Sequence, residues 1–476
     1  MIVAIDIGTE SARLLFERNG NWEILKESYK IFFPSPEAVE QNPNEILSAT
    51  LKLLERVPKE DDVLYVGLSS VFHSILGLDE DFEPVTPLLN WADRRSYKEK
   101  EELEKRYGVR FFYEKTACPL HPMYWPSKIL WMKKNSKAKR FCSIKSYILQ
   151  KLTGEFVEEL SLASGTGIMN IHSLDWDDSI LEILGVSRDE LPIILSPYGR
   201  VRMKETIAKK LGFKDVLFVL GGGDGVMTNV GVNAMTSDSA TVTIGTSGAF
   251  RVVLDKPVID REGISTWCYL IDEKSYVLGG AINNGGIVLM WLKDIMKFED
   301  YNEIVRTAMK SPIGANGLIF LPFLNGERAP HWRERYRGVL VGLSSSHKRC
   351  DIARSALEGI CFRIKDIYNA VTKVGKVEPK RIVATGGFTS APEWVQLLAN
   401  ILGKDIVVTN INNPSAFGAY VMALKSFGEN VEDFLANHLK VRKVFKVETE
   451  VNNRYDELYK EYQYLYEKLV DYFYKE

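Results

Sequence analysis

The chain opens with a pattern of apolar residues that predicts β-strands joined by tight turns. Apolar positions run through residues 2–5, break at a polar turn over residues 8–11, resume over residues 13–16, and return at residues 22–25 after a second turn. Short apolar runs bounded by glycine and asparagine are typical of strands joined by hairpin turns. The first 25 residues are therefore predicted to form an antiparallel meander.

Further along the chain, strand-like and helix-like segments alternate. Strand patterns occupy residues 64–68, 216–220 and 382–384, and helical patterns occupy residues 44–56, 397–402 and 416–427. A chain in which strands and helices alternate folds around a sheet covered by helices. This order predicts the α/β class.

An internal repeat indicates two related domains. Residues 5–16 resemble residues 242–253 position against position, so that Gly8 corresponds to Gly245. The offset between these two glycines is nearly half the length of the 476-residue chain. Repetition on this scale predicts two domains, which we place at residues 1–235 and 236–476. A chance similarity between two β-hairpins is the alternative.

The last predicted helix, over residues 454–475, carries an apolar stripe. The stripe consists of Leu458, Tyr462, Leu465, Leu469 and Tyr472, spaced alternately four and three residues apart. This spacing places the side chains on one face of a helix. Packing against the protein's own core is one interpretation, and a contact with a partner helix or with a second copy in a homodimer is the other.

Composition narrows the class of protein. The 61 basic and 63 acidic side chains leave a formal net charge of -2, which predicts no binding of nucleic acid. No apolar run approaches the roughly 20 residues of a membrane span, so no membrane association is predicted. The five cysteines are scattered without a Cys-x-x-Cys pair, and the first residues lack a basic and apolar leader. A reducing, cytoplasmic location is expected.

Two Gly-Thr turns, one in each predicted domain, have the chemistry of phosphate sites. A turn such as Gly8-Thr9 or Gly245-Thr246 exposes consecutive backbone N–H groups and a hydroxyl, and glycine lets a polyanion approach the backbone. Two such turns would hold the β- and γ-phosphates of a nucleotide from opposite sides. Asp6, just before the first turn, is placed to hold Mg²⁺ directly or through water.

A carboxylate in a glycine-rich turn is the candidate catalytic group. Asp224 lies in the turn at residues 221–225, directly after the apolar strand at residues 216–220. The carboxyl end of a strand is a usual active-site position in an open α/β sheet. A kinase that phosphorylates an alcohol uses a carboxylate to accept the hydroxyl proton. The alternative is an aspartate that only stabilises the turn.

A third glycine turn, over residues 385–390, follows a predicted strand and precedes a helix that begins near Pro392. Backbone N–H groups at a helix N-terminus bind ligands. Because the turn lacks basic neighbours, it is predicted to contact a nucleoside rather than a phosphate. The alternative is a plain connection between strand and helix, capped by Ser390.

Polar and aromatic residues cluster in loops of the first predicted domain. They are His73, Trp91, Asp93, Arg95 and His121. Side chains of these types bind the hydroxyl and acid groups of a polyol. The two histidines have no third ligand at a spacing that suits a metal, so hydrogen bonding is the preferred interpretation.

In this order the motifs resemble those of the FGGY family of carbohydrate kinases, members of the actin and hexokinase superfamily, from Asp6 to about Ala423. The resemblance is carried by Asp6–Arg13, Trp91-x-Asp93-x-Arg95, Leu152–Glu155, Gly222–Asp224, Gly245–Gly248, Gly326–Pro330, Arg354-x-x-x-Glu358-Gly359, Thr385–Gly387 and Gly418-Ala419. Each motif is common by itself, whereas the ordered set is specific to the family.

The resemblance implies two duplicated ribonuclease-H-like domains around a central cleft that binds ATP and Mg²⁺. It places the sugar site and the catalytic aspartate in the first domain and the nucleotide site in the second. Asp224 is then the expected general base and Asp6 the metal-linked aspartate. By position, the residues expected to bind ATP are Thr9, Arg13, Gly245, Thr246, Gly286, Gly387 and Phe388, and those expected to bind the sugar are His73, Trp91, Asp93, Arg95 and His121.

Within the family, several segments are most similar to the gluconokinases. They are residues 40–43, 69–74, 91–93, 118–123, 161–164 and 174–177. This similarity implies phosphoryl transfer from MgATP to the terminal hydroxyl of D-gluconate, giving 6-phosphogluconate. Gluconate carries a carboxylate, for which Arg94, Arg95, His121 and Lys128 are candidate donors.

The sequence departs from the family pattern in three places. Glu10 stands where the first turn usually has threonine, Ala117 where glycine is expected, and residues 413–414 where an acidic residue is common. Glu10 either points away from the nucleotide or weakens phosphate binding. The alternative substrates are xylulose, ribulose and glycerol, and the alternative from another class is a non-catalytic sugar or nucleotide sensor.

Overall fold

The computed structural model describes residues 1–474, which form two large mixed β-sheets. The strands of the first half are β1 (Ile2–Ile7), β2 (Ser11–Arg18), β3 (Asn21–Ser28), β4 (Glu40–Gln41), β5 (Val63–Ser70), β6 (Leu76–Leu78), β7 (Leu88–Leu89), β8 (Arg140–Cys142), β9 (Val157–Glu159), β10 (Met169–Asn170), β11 (Asp175–Trp176), β12 (Ile193–Leu195), β13 (Arg200–Arg202) and β14 (Asp215–Gly223). Those of the second half are β15 (Ser239–Ile244), β16 (Gly248–Leu254), β17 (Trp267–Asp272), β18 (Ser275–Ile282), β19 (Ile319–Leu321), β20 (Val339–Val341), β21 (Arg381–Thr385), β22 (Ile406–Thr409) and β23 (Val441–Phe445).

The helices cover the two sheets and the connections between them. In the first half they are α1 (Pro43–Glu55), α2 (Tyr97–Tyr107), α3 (Val109–Thr116), α4 (Trp125–Asn135), α5 (Ile144–Thr153), α6 (Leu160–Ser164), α7 (Asp178–Leu184), α8 (Glu205–Lys210) and α9 (Asp224–Gly231). In the second half they are α10 (Ile287–Met296), α11 (Tyr301–Ala308), α12 (Arg349–Gly375), α13 (Pro392–Leu402), α14 (Pro414–Ser426), α15 (Val431–His438), α16 (Thr449–Lys468) and α17 (Val470–Phe473).

The two sheets repeat one topology. The first has the order β13-β14-β5-β1-β2-β3 and the second the order β23-β22-β21-β15-β16-β18-β17. In each sheet the first strand pairs antiparallel with its hairpin partner and parallel with the next long strand, β5 or β21. A further parallel strand and an antiparallel edge strand follow in both. The predicted α/β fold with two duplicated domains is confirmed.

The sequence repeat and the strand boundaries agree. Ile2 opens β1 and Ser11 opens β2, and the alignment of Gly8 with Gly245 places their counterparts at Ser239 and Gly248, which open β15 and β16. The six other segments predicted from periodicity lie in β5, β14, β21, α1, α13 and α14. The predicted C-terminal end of each helix lies within one residue of the observed end. The predicted domain boundary at residues 235 and 236 falls between α9 and β15.

Helix α14 of the second half packs directly on the first half, against α9 and β5. A Cβ added at Gly418 would collide with the backbone carbonyl of Met227 in α9, and one added at Gly231 would collide with that of Pro414 in α14. A Cβ at Gly67 on β5 would also collide with the backbone of α14. Only glycine permits backbones to approach so closely, so these positions fix how the two halves meet.

The C-terminal helix packs on the core of the second half. Tyr462 is fully buried, and Leu458, Leu465 and Leu469 are partly buried against the core, whereas Tyr472 is 67% exposed. The core-packing interpretation therefore holds for four of the five stripe residues. The predicted helix is divided into α16 and α17, and residue 475 lies outside the described residues. The homodimer stays a prediction.

Within residues 1–474, no helix has both the length and the apolar character needed to cross a bilayer.

We predict that Gly418→Ala destabilises the protein by about 3 kcal/mol, because the methyl group must push α14 away from α9. Urea unfolding measures the loss. The control is Gly20→Ala at an exposed turn with open space around it, where only the left-handed backbone is strained, at about 1 kcal/mol. Equal losses in the two variants would contradict a tight contact between α9 and α14.

Candidate active site

Asp224 is the first residue of α9 and stands at the carboxyl end of β14. The pairing of β14 with β5 is interrupted between Val219 and Gly222, and Gly221 at that break has a left-handed φ of 62°. The strand resumes its pairing at Gly222 and Gly223, and the helix follows directly at Asp224. The Oδ1 atom of Asp224 accepts a hydrogen bond of 2.7 Å from the backbone N–H of Gly225.

The surroundings of Asp224 raise the pKa of its carboxyl group. Burial raises the pKa of Asp224 to about 6, the charge of Asp6 adds to the rise, and Arg251 and the backbone N–H groups of Gly225 and Phe72 oppose it. A carboxylate that titrates near neutral pH is a more effective proton acceptor than an ordinary aspartate. Asp224 therefore has the properties of a general base.

Asp6 lies at the end of β1, almost fully buried. Its Oδ1 accepts a hydrogen bond of 2.7 Å from Ser69 on β5, and its Oδ2 accepts one of 2.9 Å from Ser415 in α14. The guanidinium of Arg13 lies 3.7 Å from Oδ2. Asp6 thus joins the first sheet to a helix of the second half.

Both Gly-Thr turns face one cavity, the phosphate cavity, which has a volume of about 370 Å³. Of the residues predicted to bind phosphate or metal, it is lined by Asp6, Thr9, Arg13, Gly245 and Thr246, and Asp224 is also part of its wall. Exposed Glu10 lines it too, beside the first phosphate turn. The structure therefore brings the two turns, the candidate base and Asp6 together.

The residues around Asp6 fit a cation that arrives with a nucleotide. Mg²⁺ bound to ATP keeps phosphate oxygens and waters as most of its ligands. Both oxygens of Asp6 already accept serine hydroxyls, which suits a contact through water. Across residues 1–474 there is no group of three or more His, Cys, Asp or Glu side chains arranged to hold a metal.

A second cavity, of about 200 Å³, continues from the phosphate cavity into the second half. The three residues predicted to hold the nucleoside, Gly286, Gly387 and Phe388, line it together with Gly245 and Thr246 of the second phosphate turn. Its other walls include the apolar side chains of Leu289 and Trp394, which suit a flat base. A Cβ at Gly245 or Gly387 would stand in open space.

A third cavity, the sugar cavity, lies on the other side of Asp224 and has a volume of about 130 Å³. Predicted residues His73 and Trp91 line it. It adjoins an outer cavity of about 250 Å³ lined by His121, Arg94 and Glu334. Trp91, Met123 and Arg328 line both the sugar cavity and the outer cavity.

His73 is held in one tautomer. Its Nδ1 lies 2.6 Å from the carbonyl oxygen of Gly165, and because a carbonyl can only accept, Nδ1 carries the proton. Burial lowers the pKa of His73 to about 3, so the ring is neutral at physiological pH. The Nε2 atom is then a hydrogen-bond acceptor for a ligand hydroxyl.

Trp91 and His121 are also fixed by hydrogen bonds. The Nε1 atom of Trp91 donates to the hydroxyl of Thr9 over 3.3 Å, which links the sugar cavity to the first phosphate turn. The backbone N–H of Met123 donates to Nδ1 of His121, so the proton of the neutral ring is on Nε2. That atom lies 3.3 Å from a carboxylate oxygen of Glu334.

The structure does not bring Asp93 and Arg95 to the wall of either sugar-side cavity. Asp93 is fully buried and pairs with Arg95 at 2.8 Å, while Arg95 also binds Glu40 at 2.6 Å. Their polar groups already have partners within the protein. We therefore revise their predicted role from binding the substrate to positioning the loop that carries Trp91.

The ammonium group of Lys128 also has its hydrogen-bond partners within the protein. It is fully buried and donates to the backbone carbonyls of Asn90, at 2.7 Å, and His73, and burial lowers its pKa to about 7. Arg95 and Lys128 are thus not free to bind a substrate carboxylate. Arg94 and His121, the other two candidate donors, line the outer cavity.

Two arginines that the sequence reasoning did not assign line the sugar cavity, Arg251 and Arg328. Arg328 is 6% exposed, its Nη2 donates to the carbonyl of Ile282, and its Nε is buried without a partner. Burial lowers the pKa of Arg328 to about 10. Among the described residues, neither guanidinium forms an ion pair with a carboxylate. In the sequence, Arg328 belongs to the Gly326–Pro330 motif, which could have identified it as a site residue, whereas Arg251 belongs to none of the family motifs.

The repeated domains and the cleft between them define a two-domain sugar kinase. The sequence profile of the N-terminal domain of the FGGY family of carbohydrate kinases matches residues 1–231, and that of the C-terminal domain matches residues 240–427. The chain belongs to the FGGY family of carbohydrate kinases. Kinases of this family use ATP. The predicted membership and the predicted sugar-kinase activity are confirmed.

Several known proteins are similar over nearly the whole chain. A gluconokinase of Bacillus subtilis (strain 168) is 37% identical over 453 residues, which cover 90% of this chain and 88% of that protein. The crystal structure of a gluconate kinase from Lactobacillus acidophilus superposes with a TM-score of 0.90 at 32% identity, covering 98% of both chains. A ligand-bound xylulose kinase from the same organism gives 0.91, also at 32% identity and 98% coverage of both chains.

We predict that kcat/KM falls about tenfold per pH unit below about pH 6, because protonated Asp224 cannot accept the hydroxyl proton. The pKa of Asp224 is raised in the folded protein, so activity is full above this value and lost as the pH falls through it. Steady-state rates between pH 5 and pH 8 at saturating MgATP test this. A kcat/KM that stays constant down to pH 5 would contradict the environment described for Asp224.

Proposed function

We propose that the protein transfers the γ-phosphoryl group of MgATP to the terminal hydroxyl of D-gluconate, giving 6-phosphogluconate and ADP. Asp224 accepts the hydroxyl proton while the substrate oxygen bonds to the γ-phosphorus and the bond to the bridging oxygen of ADP breaks. His73 accepts a hydrogen bond from a substrate hydroxyl through Nε2 and so helps to orient the chain of the sugar acid.

Support for an acidic substrate comes from Arg328. A buried guanidinium without a carboxylate partner is costly, and a substrate carboxylate would supply the missing partner. Arg328 lines the sugar cavity and the outer cavity but not the phosphate cavity, so it lies toward the end of the substrate away from the reacting hydroxyl. Arg328 belongs to a motif that the whole family shares, so it does not by itself distinguish gluconate from a neutral sugar. The choice of gluconate therefore also rests on the higher sequence identity to gluconokinases than to xylulose kinases.

The nucleotide is proposed to lie along the other two cavities. Gly245 and Thr246 hold phosphates opposite Thr9 and Arg13, and the base lies against Phe388, close to Gly286 and Gly387. Mg²⁺, held through water by Asp6, would neutralise charge on the β- and γ-phosphates. Residues 1–235 and 236–476 are the two units that close on the substrates, and closure excludes water, which would otherwise accept the phosphoryl group.

A second candidate is the same reaction on a neutral ketose. The specific observation in its favour is the xylulose kinase structure, which superposes as closely as the gluconate kinase structure and has the same sequence identity. A non-catalytic sensor is less well supported, because a sensor has no use for a carboxylate with the raised pKa of Asp224.

We predict strong ADP release with D-gluconate and at least tenfold less with D-xylulose, L-ribulose, glycerol or no sugar, measured by a coupled assay with MgATP. Asp224→Asn should lower kcat by about a thousandfold. The control is Asp215→Asn at the opposite end of β14, which should keep normal activity. Preference for a neutral substrate would refute gluconate, and normal turnover by Asp224→Asn would refute the base.

We predict that Arg328→Gln lowers kcat/KM for gluconate by about a hundredfold, because a charged partner of the carboxylate is lost. The loss on D-xylulose, which has no carboxylate, should be at least tenfold smaller. The comparison of the two substrates corrects for any general disturbance of the cavity. Equal losses on both would show that Arg328 does not bind the carboxylate.

A further inference from the structure

We propose that Arg251 is a catalytic residue that binds the γ-phosphoryl group during its transfer and is supplied by the second domain, opposite Asp224 in the first. The proposal rests on the proposed phosphoryl transfer at Asp224 but not on the identity of the sugar. It is carried by the position of Arg251, by the way its side chain is held, and by its lack of a carboxylate partner.

Arg251 stands where the phosphate and sugar cavities meet. Its side chain lines both, as do those of Asp224 and Ala249. A Cβ placed on Gly225 would lie 2.9 Å from Nη2 and 3.1 Å from Nε of Arg251, so the guanidinium rests on the backbone next to Asp224. A γ-phosphoryl group in transit from nucleotide to alcohol must pass through this junction.

A chain of hydroxyls holds the guanidinium in one orientation. Nη1 of Arg251 donates to Oγ1 of Thr243 over 3.1 Å, and Thr243 shares a hydrogen bond of 2.8 Å with Thr385 on the neighbouring strand β21. This bond occupies one of the five N–H donors of an arginine. Donors oriented before the reaction stabilise developing charge without further rearrangement.

The side chain that holds Arg251 is neutral, whereas the first repeat has a carboxylate at the equivalent place. By the alignment of Gly8 with Gly245, Arg251 itself corresponds to Leu14 and not to Arg13. Thr243 is the counterpart of Asp6 in the second repeat, because it precedes Gly245 by the same two positions by which Asp6 precedes Gly8. In the first repeat Asp6 lies 3.7 Å from Arg13 and partly neutralises it. The second repeat has a neutral hydroxyl at that place, and within residues 1–474 no carboxylate forms an ion pair with Arg251. The charge of Asp224 acts on Arg251 without an ion pair between them, so a phosphoryl group at the junction would be the first anion in direct contact with this guanidinium.

Phosphoryl oxygens fit this position better than a substrate carboxylate does. The terminal hydroxyl of the substrate must lie at Asp224 to be deprotonated, which places the far end of an extended six-carbon acid away from Arg251. A guanidinium beside the reacting oxygen contacts the equatorial oxygens of the γ-phosphoryl group, where charge is spread in the transition state.

The first test measures nucleotide binding by calorimetry and needs no sugar. Arg251→Gln should weaken binding of a non-hydrolysable ATP analogue with Mg²⁺ by tenfold or more and leave ADP affinity within about twofold, because only ATP has a γ-phosphate. The control is Arg381→Gln, which removes a half-buried arginine of the same sheet that binds two backbone carbonyls away from the cavities. It should change neither affinity. Equal weakening of ATP and ADP binding by Arg251→Gln would overturn the proposal.

The second test measures turnover with whichever sugar the wild-type protein phosphorylates. Arg251→Gln should lower kcat by about a thousandfold with little change in the KM for the sugar, and Arg251→Lys should recover part of kcat because it restores the charge. A raised KM for gluconate with normal kcat would overturn the proposal and assign Arg251 to the substrate carboxylate. A wild-type protein inactive on every sugar would refute the proposed function, while the nucleotide measurement would still decide the role of Arg251.

Discussion

The close contact between α9 and α14 is the constraint on which the cleft depends. Gly231 and Gly418 let the two helix backbones touch, and each helix begins at the active site. The first residue of α9 is Asp224, and Ser415 in the first turn of α14 binds Asp6. The same crossing therefore sets the position of the candidate base, in the first half, relative to the second half.

The duplication supplies two similar phosphate turns, and the differences between the copies create the chemistry. Both repeats present a Gly-Thr turn to one cavity. The first copy has an aspartate at the end of its opening strand, Asp6, and the second has Thr243. One side of the cleft is therefore suited to a cation carried by the nucleotide, while the other places a neutral hydroxyl beside Arg251. Two identical copies would place like groups on both sides and would give no such division.

The features that the sequence predicts well are local. Strands, turns and the carboxylate after β14 follow from neighbouring residues, and the repeat aligned the two copies correctly. The use of each arginine depends instead on partners distant in the chain. Arg95 is removed from the cavity by Glu40, 55 residues earlier, whereas Arg251 and Arg328 keep their charge because no carboxylate folds next to them. A motif specifies that an arginine is present, and only the tertiary structure shows whether its charge is already neutralised.

Several charged groups in the cleft lack partners of opposite charge, which the ligands would supply. The raised pKa of Asp224 shows that its ionisation is unfavourable, because the group is buried and Asp6 is close. The guanidinium groups of Arg251 and Arg328 are desolvated without carboxylate partners, which is also unfavourable in the free protein. His73 and His121 remain neutral and contribute hydrogen bonds without adding charge. Binding of MgATP and of an acidic substrate would supply opposite charges at the places where they are missing. The unpaired charges lower the stability of the ligand-free protein, and the same charges strengthen ligand binding and stabilise the transition state. This trade-off is expected for a site selected for function rather than for folding stability.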